Sequence, residues 1–362
     1  MLSISNPTIE IDGVKVGLDH PTYFIADIAA NHDGSLDRAI ELIHLAAKAG
    51  ANVAKFQHFD AATIVSKFGF ESLNSGTSHQ STWTKSVVEV YEEASVHLEW
   101  TEQLVKACAE AGITFFTSPY SIEIVNYIDK YVPAYKIGSG DITWHEMISA
   151  IANKGKPYIL ATGASTMDEV VAAVNLGRSI NDQLAILQCN TNYTASLENF
   201  RFIQLNVLKK YEQLFPDLVL GLSDHTPGHS TVLGAVALGA RIIEKHFTND
   251  TKRDGPDHNF AMDPNTWREM VDRTCELESS LGDGLKKVEQ NESETVVVQR
   301  RSIRAARDLQ PGQMLVKEDF VLLRPCPPEG VPPYKSEQLV GQTLVNKVRE
   351  GDILRWSDFQ QP

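Results

Sequence analysis

Short apolar runs recur through the first 250 or so residues, and nearly every one ends in a polar or charged side chain. The runs are Tyr23–Ile28, Val53–His58, Ile113–Ser118, Ala134–Ser139, Pro157–Gly163, Leu184–Asn190, Leu218–Asp224 and Arg241–Phe247. Each is followed by helical periodicity. Runs of this length, rich in Val, Ile and Leu, fit strands buried on both faces. Eight such βα units in one stretch predict a (β/α)8 barrel, a fold that takes about 250 residues and carries its chemistry at the C-terminal strand ends. Those ends hold Asp27, Asn31 and His32; Lys55 and Gln57; Ser118; Lys136, Ser139 and Asp141; Thr162; Asn190, Asn192 and Tyr193; Ser223, Asp224 and His225; Glu244, Lys245 and His246. Polar groups gathered at one rim predict a site.

The remaining segments surround this repeat. Thr8–Gly17 reads as a hairpin turning at Asp12-Gly13, placed to close the barrel bottom. Ser35 is a helix cap, with Leu36, Ile40 and Ile43 on one helix face. A long insertion, Asp60 to Val96, separates the second and third strands; its GTSHQSTWTK and SVVEVYEEA stretches predict a flap and a short helix. A helix is expected from Pro264 to Leu281, followed by the charged, glycine-bearing GDGLKKVEQNESE. The domain reading is a barrel over 1–284, a linker over 285–298 and a small all-β module over 299–362. In that module DLQPGQML and KVREGDILRW repeat one turn pattern.

Composition narrows the function. The chain has 362 residues and a formal charge of −14, which argues against non-specific nucleic-acid binding. No run approaches the roughly 18 apolar residues of a membrane span. The start of the chain lacks the pattern of a secretory signal, so a cytoplasmic protein without a membrane partner is expected. The four cysteines show no CxxC pair, against a disulfide framework or thiolate zinc site. Cys189, near a strand end, reads as a buried small hydrophobe or a nucleophile. No GxGxxG or GxxxxGK[ST] occurs.

His225 and His246 follow neighbouring strands, and two converging imidazoles can hold a divalent ion with open positions for substrate. Lys55 and Lys136 end strands two and four. A lysine in a barrel mouth is costly unless it meets an anion, so with Ser118, Ser139, Gly138 and Gly140 nearby they predict a phosphate or carboxylate site. Their other use is internal pairing with Asp27 or Asp141. Those two acids suit sugar hydroxyls or proton transfer. Asp257 and His258 either act at the site or shape a turn. Arg324, by itself, is an ordinary surface arginine.

Taken in order, ADIAANHDG (26–34), AAKAGANVAKFQ (46–57), TSPYS (117–121), YKIGSGDIT (135–143), ATGAS (161–165), GLSDHT (221–226), EKHFT (244–248) and GPDH (255–258), then RRSIRAARDLQPG (300–312) and LRP (323–325), resemble the sialic acid synthase family over essentially the whole chain. The tail resembles that family's antifreeze-like (SAF) domain. The resemblance implies condensation of phosphoenolpyruvate with an N-acylated mannosamine-type sugar. It implies a divalent metal, Mn²⁺ before Mg²⁺ or Co²⁺, on His225 and His246. Phosphoenolpyruvate falls to Lys55, Ser118, Lys136, Ser139, Thr162 and Ser223. The sugar falls to Asp27, Asp141, Asn190, Tyr193, Asp257 and Arg324. Catalytic roles fall to Asp27, Lys55, Gln57, Lys136, Asp141 and Glu244. It also implies a domain-swapped homodimer in which Arg324 acts in trans. Asp27 and Asp141 stand where the family usually has a longer glutamate, and Ala161 replaces a serine. These departures admit a 2,4-diacetamido-6-deoxy acceptor, the precursor of legionaminic or pseudaminic acid. The rival readings are another phosphoenolpyruvate-using sugar-phosphate synthase, a metal-dependent aldolase, or a non-catalytic carbohydrate- or ice-binding protein.

Overall fold

The structure is a computed structural model that describes residues 6–72 and 85–360. Two strands come first, β1 (Thr8–Ile11) and β2 (Val14–Gly17), paired antiparallel. Their turn places both Asp12 and Gly13 at positive φ, 52° and 75°, the backbone that a two-residue primed hairpin turn requires.

Eight parallel strands follow: β3 (Tyr23–Asp27), β4 (Val53–His58), β5 (Thr114–Pro119), β6 (Tyr135–Ile137), β7 (Tyr158–Ala161), β8 (Leu184–Cys189), β9 (Val219–Asp224) and β10 (Ile242–His246). They form one sheet in the order β5-β4-β3-β10-β9-β8-β7-β6, with β5 and β6 side by side across the remaining seam. The eight expected strands are all present, and the sheet is a near-closed (β/α)8 barrel. Caps also fall where the side chains dictate: the Ser35 side chain accepts from the Arg38 amide and opens the helix Leu36–Ala49.

Side-chain parity divides the barrel into two cores. Residues pointing out of the sheet pack with the helices, as Phe24, Phe56, Tyr135, Ile186 and Leu222 do. Residues pointing in form a separate cluster: Tyr23, Ile25, Val53, Phe116, Ala134, Ile159, Ala185, Leu187, Val219 and Ile242. Ile9, Ile11 and Val16 of the hairpin belong to the same cluster, so the hairpin plugs the bottom of the barrel as its position predicted. The apolar layers fill the lower barrel, and the inward positions one or two steps further along each strand are polar.

The insertion between β4 and β5 contains helices Ala61–Ile64, Lys67–Ser72 and Val87–Ala94; the last is opened by a capping box between Ser86 and Glu89. Most of the expected flap, residues 73–84, lies outside the described residues.

The chain divides into two compact units at Gly282. The segment expected as a linker is not structureless: it carries the helix Ser293–Gln299, and the Val297 carbonyl accepts the Cys326 amide at 2.9 Å. The second unit pairs β11 (Ser302–Ala305) with β12 (Phe320–Leu323) antiparallel around its own core, which includes Ile303, Leu309, Leu315, Leu344, Leu354 and Phe359. The repeated turn pattern places Gly312 and Gly351 at φ 82° and 80°. Among the described residues no helix is long and apolar enough to cross a membrane.

Gly221 marks where the barrel interior tolerates no side chain. A Cβ there would lie 2.3 Å from Leu187 Cδ2 and 2.4 Å from the Ile242 carbonyl oxygen. Gly221→Ala should lower the unfolding free energy by about 1–3 kcal/mol, the usual cost of overpacking, read as a lower urea midpoint at unchanged slope.

Candidate active site

The polar inward positions converge on one cavity of about 400 Å3 at the C-terminal end of the barrel. Asp27, Lys55, Gln57, Ser118, Lys136, Cys189, Ser223, His225, Glu244 and His246 all line it, joined by Ser139, Asp141, Tyr193 and Asp257 from the loops beyond.

Charge organises its floor. Lys55 Nζ lies 2.6 Å from Asp27 Oδ2 and 3.8 Å from Glu244 Oε2, and Lys136 Nζ lies 3.4 Å from Glu244 Oε1. Ser223 Oγ donates to Glu244 Oε1 at 3.1 Å. Both lysines and both acids are buried. Burial alone would push the Glu244 carboxyl up, but Lys136 and Lys55 together hold it down at about 2. Burial works against the Lys55 ammonium, yet Asp27 and Glu244 keep it above its ordinary value. Lys136, with burial against it and Lys55 nearby, is lowered despite Glu244. Asp27 is raised by burial even with Lys55 in contact, and burial pushes Asp141 up to about 6. Internal pairing, one of the two uses open to the lysines, is therefore realised with Asp27 and Glu244.

The pairing is incomplete. Asp27 Oδ1, Glu244 Oε2, His246 Nδ1 and Ser118 Oγ are buried with no hydrogen-bond partner. Buried polar atoms are nearly always satisfied, so four unsatisfied atoms on residues lining one cavity mark a place for a polar ligand.

His225 and His246 stand with ring centroids 5.3 Å apart. His225 Nδ1 lies 2.8 Å from the Asn190 carbonyl, which can only accept, so Nδ1 carries the proton and Nε2 keeps its lone pair. Burial holds His225 down at about 4, with His246 adding to the effect; burial also lowers His246. Both rings are neutral at pH 7, the form that ligates metals. His246 lies 3.7 Å from Asp27 Oδ2 through Nε2 and 3.7 Å from Asp257 Oδ2 through Nδ1. The Tyr193 ring packs 4.3 Å from that of His225. Among the described residues no group of three or more His, Cys, Asp or Glu forms a finished metal site. Two neutral imidazoles, one with an unpartnered buried nitrogen, fit an open site that water or substrate completes.

Several predicted residues are turned elsewhere. Thr162 accepts from the Tyr211 hydroxyl at 2.8 Å and donates to the Leu187 carbonyl at 2.9 Å, away from the cavity, because Ile159 and Ala161 are the inward residues of β7. The Asn190 side chain donates to the Phe202 carbonyl; its part in the site is the carbonyl that fixes His225. Asp224 and Lys245 face the helices and pair with each other, the carboxylate also accepting from Thr226 and Thr231. Asn31 donates to the Phe247 carbonyl, and His32 packs against Trp100. Asp257 lines the cavity, whereas His258 turns to Asp33 and Thr248. Arg324 is exposed in the second unit. Cys189 lines the cavity, but burial raises its thiol, so it is a small neutral wall residue rather than a poised nucleophile. Sequence reasoning missed Phe59, Ile64, Val90, Tyr91 and Tyr120. Phe59 and Tyr120 had a signal, since they directly follow β4 and β5; Ile64, Val90 and Tyr91 come from the insertion and had none.

A barrel with paired buried lysines, neutral imidazoles and unpartnered acid oxygens at its C-terminal mouth has its polar cavity where enzymes of this fold carry their chemistry. The chain belongs to the NeuB family, whose model matches residues 42–286, and an SAF domain matches residues 300–360. It is 32% identical to the pseudaminic acid synthase of Campylobacter jejuni over 94% of this chain and 98% of that one. It is 33% identical to the N,N'-diacetyllegionaminic acid synthase of Legionella pneumophila over 97% and 98%. The solved N-acetylneuraminic acid synthetase of Leptospira borgpetersenii, in complex with citrate, superposes with a TM-score of 0.70 at 26% identity, covering 80% of this chain and 95% of that one. The chain is thus a synthase-type transferase of carbohydrate biosynthesis.

The Asp224–Lys245 pair joins β9 and β10 one residue before each histidine. Asp224→Asn would leave the Lys245 charge buried and uncompensated, a loss of about 3–5 kcal/mol measurable by chemical denaturation. The double change Asp224→Leu with Lys245→Met should recover most of it.

Proposed function

We propose that the protein condenses phosphoenolpyruvate with the open-chain aldehyde of an N-acylated mannosamine-type sugar, giving a nonulosonic acid and phosphate. The observation that carries this reading is the pair of buried lysines, Lys55 and Lys136, opening with unpartnered Ser118 Oγ onto the cavity that His225 and His246 also line. An anionic reactant and a carbonyl reactant are thereby given adjoining places.

In this reading Lys55 and Lys136, with Ser118, Ser139 and Ser223, bind the phosphate and carboxylate of phosphoenolpyruvate through charge-assisted hydrogen bonds. Glu244, ionised well below neutral pH, holds both lysines in position rather than transferring protons. His225 and His246 would hold the divalent ion, Mn²⁺ by preference, which supplies Lewis-acid polarisation of the aldehyde oxygen. Asp27, Tyr193, Asp257 and Gln57 fix the sugar so that its aldehyde carbon faces C3 of phosphoenolpyruvate; such alignment can supply much of the rate. Bond formation at C3 leaves cationic character at C2, to which water adds. Asp141, with its pKa raised to about 6, is matched to accept that water's proton near neutral pH. The tetrahedral product then expels phosphate by C–O cleavage. A homodimer and the action of Arg324 on the acyl group in trans complete the proposal.

The test is phosphate release from phosphoenolpyruvate with Mn²⁺ and N-acylated mannosamine-type acceptors. Release that depends on both metal and acceptor is expected; cleavage without phosphate release would instead indicate a simple aldolase. His246→Ala should lower turnover by more than roughly 100-fold with the fold intact by circular dichroism, because even outer-shell partners of metal ligands are worth 10–100-fold. Arg324→Ala should raise the sugar KM more than the phosphoenolpyruvate KM; equal changes would refute its assignment to the acyl group.

A further inference from the structure

The inward side chains of β5 form a column that rises from the barrel core into the cavity. Phe116 belongs to the inner apolar cluster, and Ser118 lines the cavity. Tyr120 stands above them, because its amide still donates to the His58 carbonyl at 3.1 Å and carries the ladder one residue past the strand. The column on β4 is Val53, Lys55 and Gln57, and that of β6 is Ala134, Lys136 and Gly138. β4 and β6 flank β5, so Ser118 and Tyr120 stand between the two buried lysines.

Gly138 shows where the phenol reaches. Its φ of −67° is open to any residue, so the backbone does not require glycine there. The space does. A Cβ on Gly138 would lie 3.1 Å from the Tyr120 hydroxyl oxygen and 3.7 Å from its Cζ. The phenol therefore occupies the place of a side chain two residues beyond Lys136, at the start of the turn that carries Ser139 and Asp141. Its ring is fixed edge-on against Phe59, with centroids 5.9 Å apart. Among the described residues the Tyr120 hydroxyl makes no hydrogen bond, and Ser118 Oγ is buried without one. Burial holds the phenol well above its ordinary range, with Asp141 and Asp27 adding to the effect, so it stays protonated at neutral pH.

We propose that Tyr120 is a further substrate-binding residue, its hydroxyl donating a hydrogen bond to an anionic oxygen of phosphoenolpyruvate held between Lys55 and Lys136. The inference rests on the synthase reading and adds a neutral donor to its anion site. Both ammonium groups are already engaged by Asp27 and Glu244, and a phosphate and a carboxylate together accept more hydrogen bonds than they have left. A phenol supplies a donor without placing another charge beside Lys136, whose ammonium burial already disfavours. One such donor to a charged oxygen is worth about 10–100-fold in affinity.

The experiment reads phosphate release by the full-length protein with Mn²⁺, varying phosphoenolpyruvate and the acceptor in turn. N-Acetylmannosamine and 2,4-diacetamido-2,4,6-trideoxymannose are the acceptors. Tyr120→Phe keeps the ring and its packing on Phe59. It should raise the phosphoenolpyruvate KM about 10–100-fold and leave the acceptor KM nearly unchanged. A merely structural loss would not single out one substrate. Gly138→Ala sets a methyl group against the hydroxyl and should raise the same KM. In the Tyr120→Phe background it should raise it little further, since no hydrogen bond is left to lose. An unchanged phosphoenolpyruvate KM in Tyr120→Phe, a rise confined to the acceptor KM, or additive effects of the two changes overturns this inference and leaves the synthase reading intact. No phosphate release by the unaltered protein with either sugar removes the synthase reading, and this inference with it.

Discussion

Two lysines and two acids buried together in the barrel mouth are the constraint around which the rest of this structure is arranged. Each charge alone would be costly in a low-dielectric interior. Shared among Lys55, Asp27, Lys136 and Glu244 the charges offset one another, but not fully, since Asp27 Oδ1 and Glu244 Oε2 are left without hydrogen bonds. A network satisfied to that degree holds its side chains in place and still has capacity for a ligand. The apolar layers below, plugged by Ile9, Ile11 and Val16, keep the charges at the mouth and water out of the barrel floor.

The same network separates roles among chemically similar groups. Glu244 lies between two ammonium groups and stays ionised to about pH 2, whereas Asp141, for which burial is the leading influence, moves up to about 6. Two carboxylates in one cavity are thus given different acidities by their surroundings. The histidines follow the same logic. Burial suppresses protonation of both, with His246 adding to the effect on His225, and a backbone carbonyl fixes which nitrogen of His225 is free.

Much of the site was legible from strand ends, and three of the errors there share one physical cause. Asp27, Lys55, Ser118, Lys136, Ser223, Glu244 and His246 each sit an even number of residues from an inward apolar residue on the same strand, and all reach the cavity. Thr162, Asp224 and Lys245 sit one step out of phase and face the helices instead. A strand alternates its faces residue by residue, so position at a strand end is insufficient without parity. The parity was recoverable in principle from Ile159, Val219 and Ile242, once those were known to point inward.

The sequence by itself determined eight βα units, the hairpin turn, the helix caps and the polar residue types at the C-terminal strand ends, because each depends on periodicity or chemistry within a few residues. It also determined the family, through motifs spread over both units. Only the tertiary structure decided which lysine meets which acid, which atoms are left unpartnered, and that residues of the insertion line the cavity. Those outcomes depend on barrel closure, which brings together residues as far apart as Asp27 and Glu244. No local pattern encodes a contact made across the barrel.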